Sequence, residues 1–307
     1  MSPPGAATVA VIGNGVVGER VRRNLSSGMR LVPRDLGADV VVIATPAPHA
    51  ELAARHLAAG KHVVSTSGAV ADVRALLDLD DLARDSGATL VVGAAVCPGL
   101  SGLLARRLLD RLDGCDEVHI AVHGTAGPAC AREHHRALAN PALGWHDGHW
   151  IERAGGSGRE LCWFPEPVGA RDCYRGELAD PLLLHRSFPD LDRISTRVSA
   201  TRRDRFTSRL PMLSPPHAEG GVGALRVEVR GHDAGGARIT LIEGIAELIG
   251  TAAAAMATAM VTAVVGRTRH GGVVTTSDPD LPVDAVLRDV LRYGVRLQAF
   301  TGVPQAV

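Results

Sequence analysis

The chain has 307 residues, room for two domains with ample core, and it carries 33 basic and 33 acidic residues. A formal net charge of zero leaves no electrostatic footprint for nucleic acid or an anionic membrane. Five cysteines (Cys97, Cys115, Cys130, Cys162 and Cys173), odd in number and without a C-x-x-C, fit reduced thiols, and the opening MSPPGAATV lacks the cationic start of a secretory signal; a cytoplasmic protein is expected.

Arginine supplies nearly all the basic charge, and any Schiff-base chemistry would have to use Lys61, the only lysine. The apolar run at 9–12 has the length of a buried strand. It stops at Gly13-Asn14-Gly15-Val16-Val17-Gly18, a G-x-G-x-x-G that leads into helical spacing at Val16, Val17, Val21 and Leu25. Each glycine has its own reason: Gly13 for a tight turn, Gly15 for approach of a pyrophosphate to bare backbone, and Gly18 for close packing of helix on strand. The helix start then offers free N–H groups and a partial positive charge to phosphates. A second strand is expected at 29–32. Asp35, seventeen residues past Gly18, stands close to where a carboxylate accepts from a ribose hydroxyl. Arg34 beside it could instead pair with a 2′-phosphate. NAD or NADP is the expected cofactor, with NAD slightly favoured.

The all-apolar run at 39–45 reads as a parallel strand covered on both faces. Helix at 49–59, strand at 61–66, helix at 70–86 and strand at 89–93 follow, an alternation that predicts a doubly wound parallel sheet. Only Leu36, Gly37 and Ala38 follow Asp35 before the next strand begins, so one crossover helix is missing. In such sheets the ligand lies beyond the carboxyl ends of the strands. Ala44-Thr45-Pro46, Ser65-Thr66-Ser67 and Cys97-Pro98-Gly99 follow three of them and should line the nicotinamide end.

The stretch ADVVVIATPAPHAELAARHLAAGKHVV (38–64) resembles the middle of the Rossmann domain in sugar oxidoreductases and saccharopine-dehydrogenase-like reductases. VVGAAVCPGLSGLLARRLL (91–109) is similar to the strand–Pro-Gly-Leu–helix junction of saccharopine-dehydrogenase-like and diaminopimelate-dehydrogenase-like enzymes. GVVTTSDPDLPVDAVLRDVLRYGVRLQAF (272–300) resembles that group's C-terminal return to the first domain. The resemblance implies an NAD(P)-dependent oxidoreductase that passes a hydride to or from an imine or amino-acid-type substrate. The sugar enzymes carry Glu-Lys-Pro where this chain has Ser65-Thr66-Ser67, which puts a polyol or sugar dehydrogenase second. A non-catalytic dinucleotide-binding regulator is the alternative from another class. Cys97 stands where the related enzymes place an aspartate, and is expected to shape the pocket.

The expected fold is α/β: a Rossmann domain over 1–114, completed by 246–307, and an α+β substrate and dimerisation domain over 115–245. Partial alternation at 117–122, 159–164, 193–200, 225–231 and 238–242 predicts an open, mostly antiparallel sheet, through which a homodimer is expected. Residues 248–266 carry no charge and are long enough to span a bilayer, yet they are mostly small, which reads as a buried helix. Trp145, Trp150, Trp163, Phe164 and Tyr174 gather within thirty residues and suit either a pocket or a core.

Gly124, Gly127 and Pro128 make a turn into a helix at 128–138, where a substrate carboxylate could meet free N–H groups and Arg132. His123 ends the strand before it and is the first candidate proton donor, followed by His135 with Glu133 as its partner. The substrate cleft is expected between Cys97-Pro98-Gly99 and the 123–135 segment. Cys130, His134, His146 and His149 could suit zinc, but no recognised ligand spacing appears and no metal is expected. Arg202, Arg203, Arg205 and Arg209 read as the solvated face of a short helix.

Overall fold

The computed structural model describes residues 7–25, 29–33, 35–212, 215–266 and 271–299, so Arg34 lies outside the described residues. The chain divides into two units, Met1–Leu100 with Gly250–Gly294, and Ser101–Ile249 with Val295–Val307.

The first unit begins with β1 (Thr8–Ile12), α1 (Val16–Leu25), β2 (Arg30–Leu31), β3 (Val40–Ile43), α2 (Ala50–Ala58), β4 (His62–Ser65), α3 (Val70–Leu77), α4 (Asp80–Asp85) and β5 (Thr89–Val92). The second unit runs through α5 (Leu100–Leu109), β6 (Gly114–His123), α6 (Pro128–Ala137), β7 (Ala142–His146), β8 (His149–Arg153), β9 (Glu160–Trp163), β10 (Ala170–Tyr174), α7 (Asp180–Ser187), β11 (Arg193–Ser199), α8 (Arg202–Thr207), β12 (Val222–His232) and β13 (Arg238–Leu248). The chain then returns through α9 (Ile249–Val265), β14 (Gly272–Thr275) and α10 (Val283–Arg292), and ends in β15 (Leu297–Ala299), which pairs with β13.

Among the described residues the first sheet has six strands, all parallel, in the order β14-β5-β4-β3-β1-β2. Every residue of β3, β5 and β14 is buried, which is why β3 reads as an unbroken apolar run. Strand order reverses at β1, with β2 on one side and β3 on the other, so the switch point lies at the end of β1. Where a crossover helix is missing, the chain makes one short 3₁₀ turn, Asp35–Gly37. The single helix expected at 70–86 is two, α3 and α4. Asp80 at the start of α4 accepts from the Val273 N–H (2.7 Å) and pairs with Arg84 (2.5 Å), tying α4 to β14.

Among the described residues the second sheet has nine strands and is mostly antiparallel, with β6 and β11 as its parallel pair. The β12–β13 ladder holds eleven residue pairs. Strand β13 continues to Leu248, past the expected end at 242, because buried Glu243 receives Arg107 (3.2 Å) and Arg111 (3.1 Å). A carboxylate so matched can sit inside a buried strand. The same pairing joins α5 to this sheet, and the Ser101 hydroxyl binds buried Asp180, which places the unit boundary at Leu100 rather than at 114.

Helix α9 is buried on all sides over residues 252–261. Among the described residues no helix is long and apolar enough to cross a membrane.

Candidate functional site

The glycine-rich turn is shaped by three different constraints. Gly13 has φ +126°, and a Cβ there would stand 2.3 Å from the Ala44 carbonyl oxygen. A Cβ on Gly18 would stand 2.2 Å from the Gly13 oxygen, so α1 lies directly on the turn. At Gly15 a Cβ would meet nothing within 4 Å, and both Asn14 and Gly15 are exposed. Two glycines are thus demanded by the protein's own packing, and the third faces open space at the start of α1. Val16, Val17 and Gly18 form the first turn of that helix, whose N–H groups have no partner within it. Arg22 braces the turn by donating to the Val11 carbonyl (2.8 Å) and to Asn14 Oδ1 (3.1 Å). The sequence marks Arg22 only by its place one turn along α1 from Gly18.

Asp35 opens the 3₁₀ turn with a half-exposed carboxylate. His56 Nε2 lies 3.7 Å from it, but burial pushes the His56 pKa down, against the pull of Asp35, so the ring is neutral near pH 7. Lys61 donates to the Asp35 backbone carbonyl, leaving the carboxylate oxygens free of that contact.

At the carboxyl ends of β3 and β4 a network appears that the sequence did not announce. His49 is fully buried; its Nδ1 meets Ser65 Oγ at 2.9 Å and its Nε2 meets the Thr45 carbonyl at 2.9 Å. Asp72, also buried, accepts from the His49 and Ala50 N–H groups (2.9 and 3.0 Å) and caps α2 from α3. Ser65 has its hydroxyl committed to His49 and to the Ser67 N–H (3.3 Å). The uncommitted group is Ser67 Oγ, buried and without a hydrogen-bond partner among the described residues. Gly68 packs against Pro98 and Cys97, where a Cβ would come within 3.1 Å of Pro98 Cδ, so the loops after β4 and β5 meet here. Pro98 is buried behind a cis Cys97-Pro98 bond, and Thr276 donates to the Gly99 carbonyl (2.7 Å). An open Gly15 at a helix start and an orphaned hydroxyl beyond β4 both fit a dinucleotide laid along the carboxyl ends of this sheet.

The candidates in the second unit separate by their contacts. His123 shares its Nδ1 with Ser199 Oγ (2.7 Å), and burial, with Arg171 and His134 nearby, pushes its pKa down to about 4. His134 donates to the Ser199 carbonyl (2.9 Å) and its pKa is held low by burial. His135 is buried and turned toward the carbonyls of Thr207 (3.0 Å) and Leu210 (3.2 Å), so it ties α6 to the α8 segment. Glu133 shares α6 with it, and Arg132 is exposed there. The residues weighed for zinc go separate ways. His146 pairs with Asp147 (3.0 Å), and His149 meets the Asp147 carbonyl (2.7 Å) across a β7–β8 hairpin turn. Among the described residues no group of three or more His, Cys, Asp or Glu could hold a metal.

The aromatic cluster splits in two. Trp145 stacks on His185 (3.8 Å between centroids) with Trp150 edge-on, while Phe164 packs in a core with Ala121, Cys162, Cys173 and Ala224.

Burial holds the pKa values of His49, His56, His119, His123, His134 and His185 below the ordinary histidine value. Below about pH 6.5, an unfolded histidine's range, the unfolded chain therefore binds more protons than the folded one. Stability from these groups should be full above that pH and fall as pH drops through the folded values, to about 4 for His123. Urea unfolding between pH 7.5 and 4.5 checks this; a flat profile would refute it.

No known family model matches the chain, and no curated protein matches it in sequence. Solved structures do match. Apo saccharopine dehydrogenase (L-Glu forming) from Saccharomyces cerevisiae superposes with a TM-score of 0.68 at 13% identity, covering 96% of this chain and 100% of that one. DAP dehydrogenase of C. glutamicum, in complex with DAP, gives 0.53 at 13% identity over 94% and 98% of the two chains. A mutant meso-DAP dehydrogenase from Clostridium tetani, with DAP, gives 0.50 at 14% over 91% and 96%. At these identities the likeness is one of fold: the chain has, over nearly its whole length, the fold of saccharopine dehydrogenase and DAP dehydrogenase.

Proposed function

We propose that this chain is an NAD(P)-dependent oxidoreductase acting on an imine or amino-acid-type substrate. The observation that carries the reading is the Gly13–Gly18 turn at the switch point of a parallel sheet, with open space left at Gly15 alone. Gly15, Val16, Val17 and Gly18 would hold the pyrophosphate through backbone N–H groups, and Asn14 would border it. Asp35 would accept from the adenine ribose. Ala44, Thr45, Pro46, Ser65 and Pro98 form the bed of the nicotinamide half. A bound nicotinamide supplies a hydride donor or acceptor; the protein orients the partners and manages a proton.

Asp35 favours NAD over NADP, since a half-exposed carboxylate whose neighbour among the described residues is the neutral His56 ring accepts from a 2′-OH and repels a 2′-phosphate. Among His123, His135, Glu133 and Cys97, His123 is best suited to proton handling. Its Nδ1 is oriented by Ser199, and no partner of its Nε2 appears among the described residues. The shared fold, of which two relatives are dehydrogenases with DAP bound, supports the amino-acid-type substrate. A homodimer in the cytoplasm completes the reading.

Titration with NAD and NADP, followed by turnover on a panel of cyclic imines, amino acids and 2-oxo acids with ammonia, tests it. Tighter NAD binding and turnover of at least one of these compounds is expected, with His123→Asn about a hundredfold slower at unchanged cofactor affinity. Binding without turnover would identify a dinucleotide-binding regulator, and no binding of either nucleotide would end the proposal.

A further inference from the structure

The second unit contains a cavity of about 560 Å³, bounded by the end of α6, the bend after β8 and the α8 segment. That volume is ordinary for a small-molecule site. Its walls are built from close backbone contacts. A Cβ on Gly155 would stand 2.2 Å from the Asn140 oxygen, so the bend lies directly on the exit of α6. A Cβ on Gly156 would stand 2.8 Å from Arg205 Cγ, so the Arg205 stem runs over bare backbone. His135 and His134 fasten the opposite wall through the carbonyls of Thr207, Leu210 and Ser199.

The chemistry of the lining is lopsided. The Arg205 guanidinium lies 5.1 Å from the ring centres of both Tyr174 and Phe206, and Tyr174 is buried, so the cation is held rather than free to swing. Arg209 also lines the cavity and has no acidic partner among the described residues. The nearest acid in sequence, Asp204, is committed to the Thr201 capping box. Behind the bend, Arg175 donates to Ser157 Oγ (3.4 Å), and burial together with Arg197, Arg153 and Arg193 lowers its pKa. Glu160 pairs with Arg197 (2.6 Å) behind the bend, whereas the cations of the cavity itself, Arg205 and Arg209, are left without an acidic partner among the described residues. Apart from Ser157 and Ser208, whose hydroxyls donate to the Ala154 and Arg205 carbonyls, the remaining side chains of the wall are apolar, and Phe206 is 76% exposed at the rim, surface that gains by being covered.

We infer that this cavity binds a small organic acid, its carboxylate on Arg205 and Arg209 and its apolar body against Leu138, Pro141 and Phe206. A guanidinium fork matches a carboxylate in two parallel hydrogen bonds, and an inorganic anion would leave the apolar wall uncovered.

Phenylacetate is the probe, because it carries both features and has no carbon bearing nitrogen or a second oxygen function for a dehydrogenase to oxidise. Calorimetric titration of the full chain without nucleotide keeps the result independent of the dehydrogenase reading. Saturable binding is expected, about tenfold weaker in Arg209→Gln, weaker in Phe206→Ser, and undetectable for uncharged 2-phenylethanol. Both replaced side chains are exposed, so these variants should fold, which thermal unfolding verifies. Absence of saturable binding, parental affinity in Arg209→Gln, or displacement by sulfate at equal concentration would each overturn the inference.

Discussion

Gly15→Val is expected to abolish nucleotide binding while the protein stays folded. The two effects separate because the three glycines of the turn answer to different neighbours. Gly13 and Gly18 cannot take a side chain for reasons internal to the fold: the Ala44 oxygen lies 2.3 Å from one virtual Cβ and the Gly13 oxygen 2.2 Å from the other. Gly13 also sits at φ +126°, where a side chain is strained whatever the space. Substitutions at either would confound loss of binding with loss of structure. Gly15 has no such neighbour within 4 Å. A valine there projects only into the space a pyrophosphate would need, and displaces it from the first N–H groups of α1. Loss of two charge-assisted hydrogen bonds at about 1.5–3 kcal/mol each corresponds to ~10²–10⁴-fold weaker binding. Calorimetry with NAD and NADP reads the affinity, and thermal unfolding reads the fold. Parental affinity in a folded variant would remove the dinucleotide assignment altogether.

The parallel sheet was legible because burial on both faces leaves a simple trace, an unbroken apolar run such as Val40–Ile43. The glycine turn was legible because each glycine has a separate physical reason to be there. What escaped were features decided by residues distant in sequence. Glu243 looked like the end of a strand, since nothing local announces that Arg107 and Arg111 will meet it. The two strands around Asp147-Gly148 could have been found: Asp147 at φ 47° and Gly148 at φ 80° make the tight hairpin turn that a D-G pair between apolar residues signals. The flanking histidines drew attention toward metal chemistry instead. His135 has the look of an acid because histidine titrates near neutrality, yet it and His134 contact backbone carbonyls 65 to 75 residues away and fasten the α8 segment. In the sequence His49 stands only at the start of a helical pattern, because its partners Ser65 and Asp72 reach it across a strand crossover.

That buried histidine gives the largest stability effect expected here. His49 joins the loop after β3 to the end of β4, and its side chain is the shared partner of the Thr45 carbonyl and the Ser65 hydroxyl. His49→Ala strands the buried Ser65 hydroxyl and the half-buried Thr45 carbonyl and leaves a cavity the size of an imidazole. Deleting a large buried side chain and orphaning its partners costs about 3–4 kcal/mol together. Asp72→Asn should cost less, about 1–2 kcal/mol, because an amide oxygen still accepts from the first turn of α2. The two losses should differ in pH dependence as well. Burial holds the His49 pKa below its ordinary value, partly offset by the Thr45 carbonyl and Asp72, so the parent loses stability as pH falls below about 6.5 through the folded value. His49→Ala removes that proton uptake and should show a shallower acid slope than Asp72→Asn. Because Thr45 and Ser65 belong to the proposed nicotinamide bed, nucleotide affinity should also fall in His49→Ala, whereas a purely packing role would leave it unchanged in the folded fraction. Urea unfolding at pH 7 and pH 5, with NAD titration on the same samples, measures all three. Stability within about 1 kcal/mol of the parent at pH 7 would show that the network contributes little.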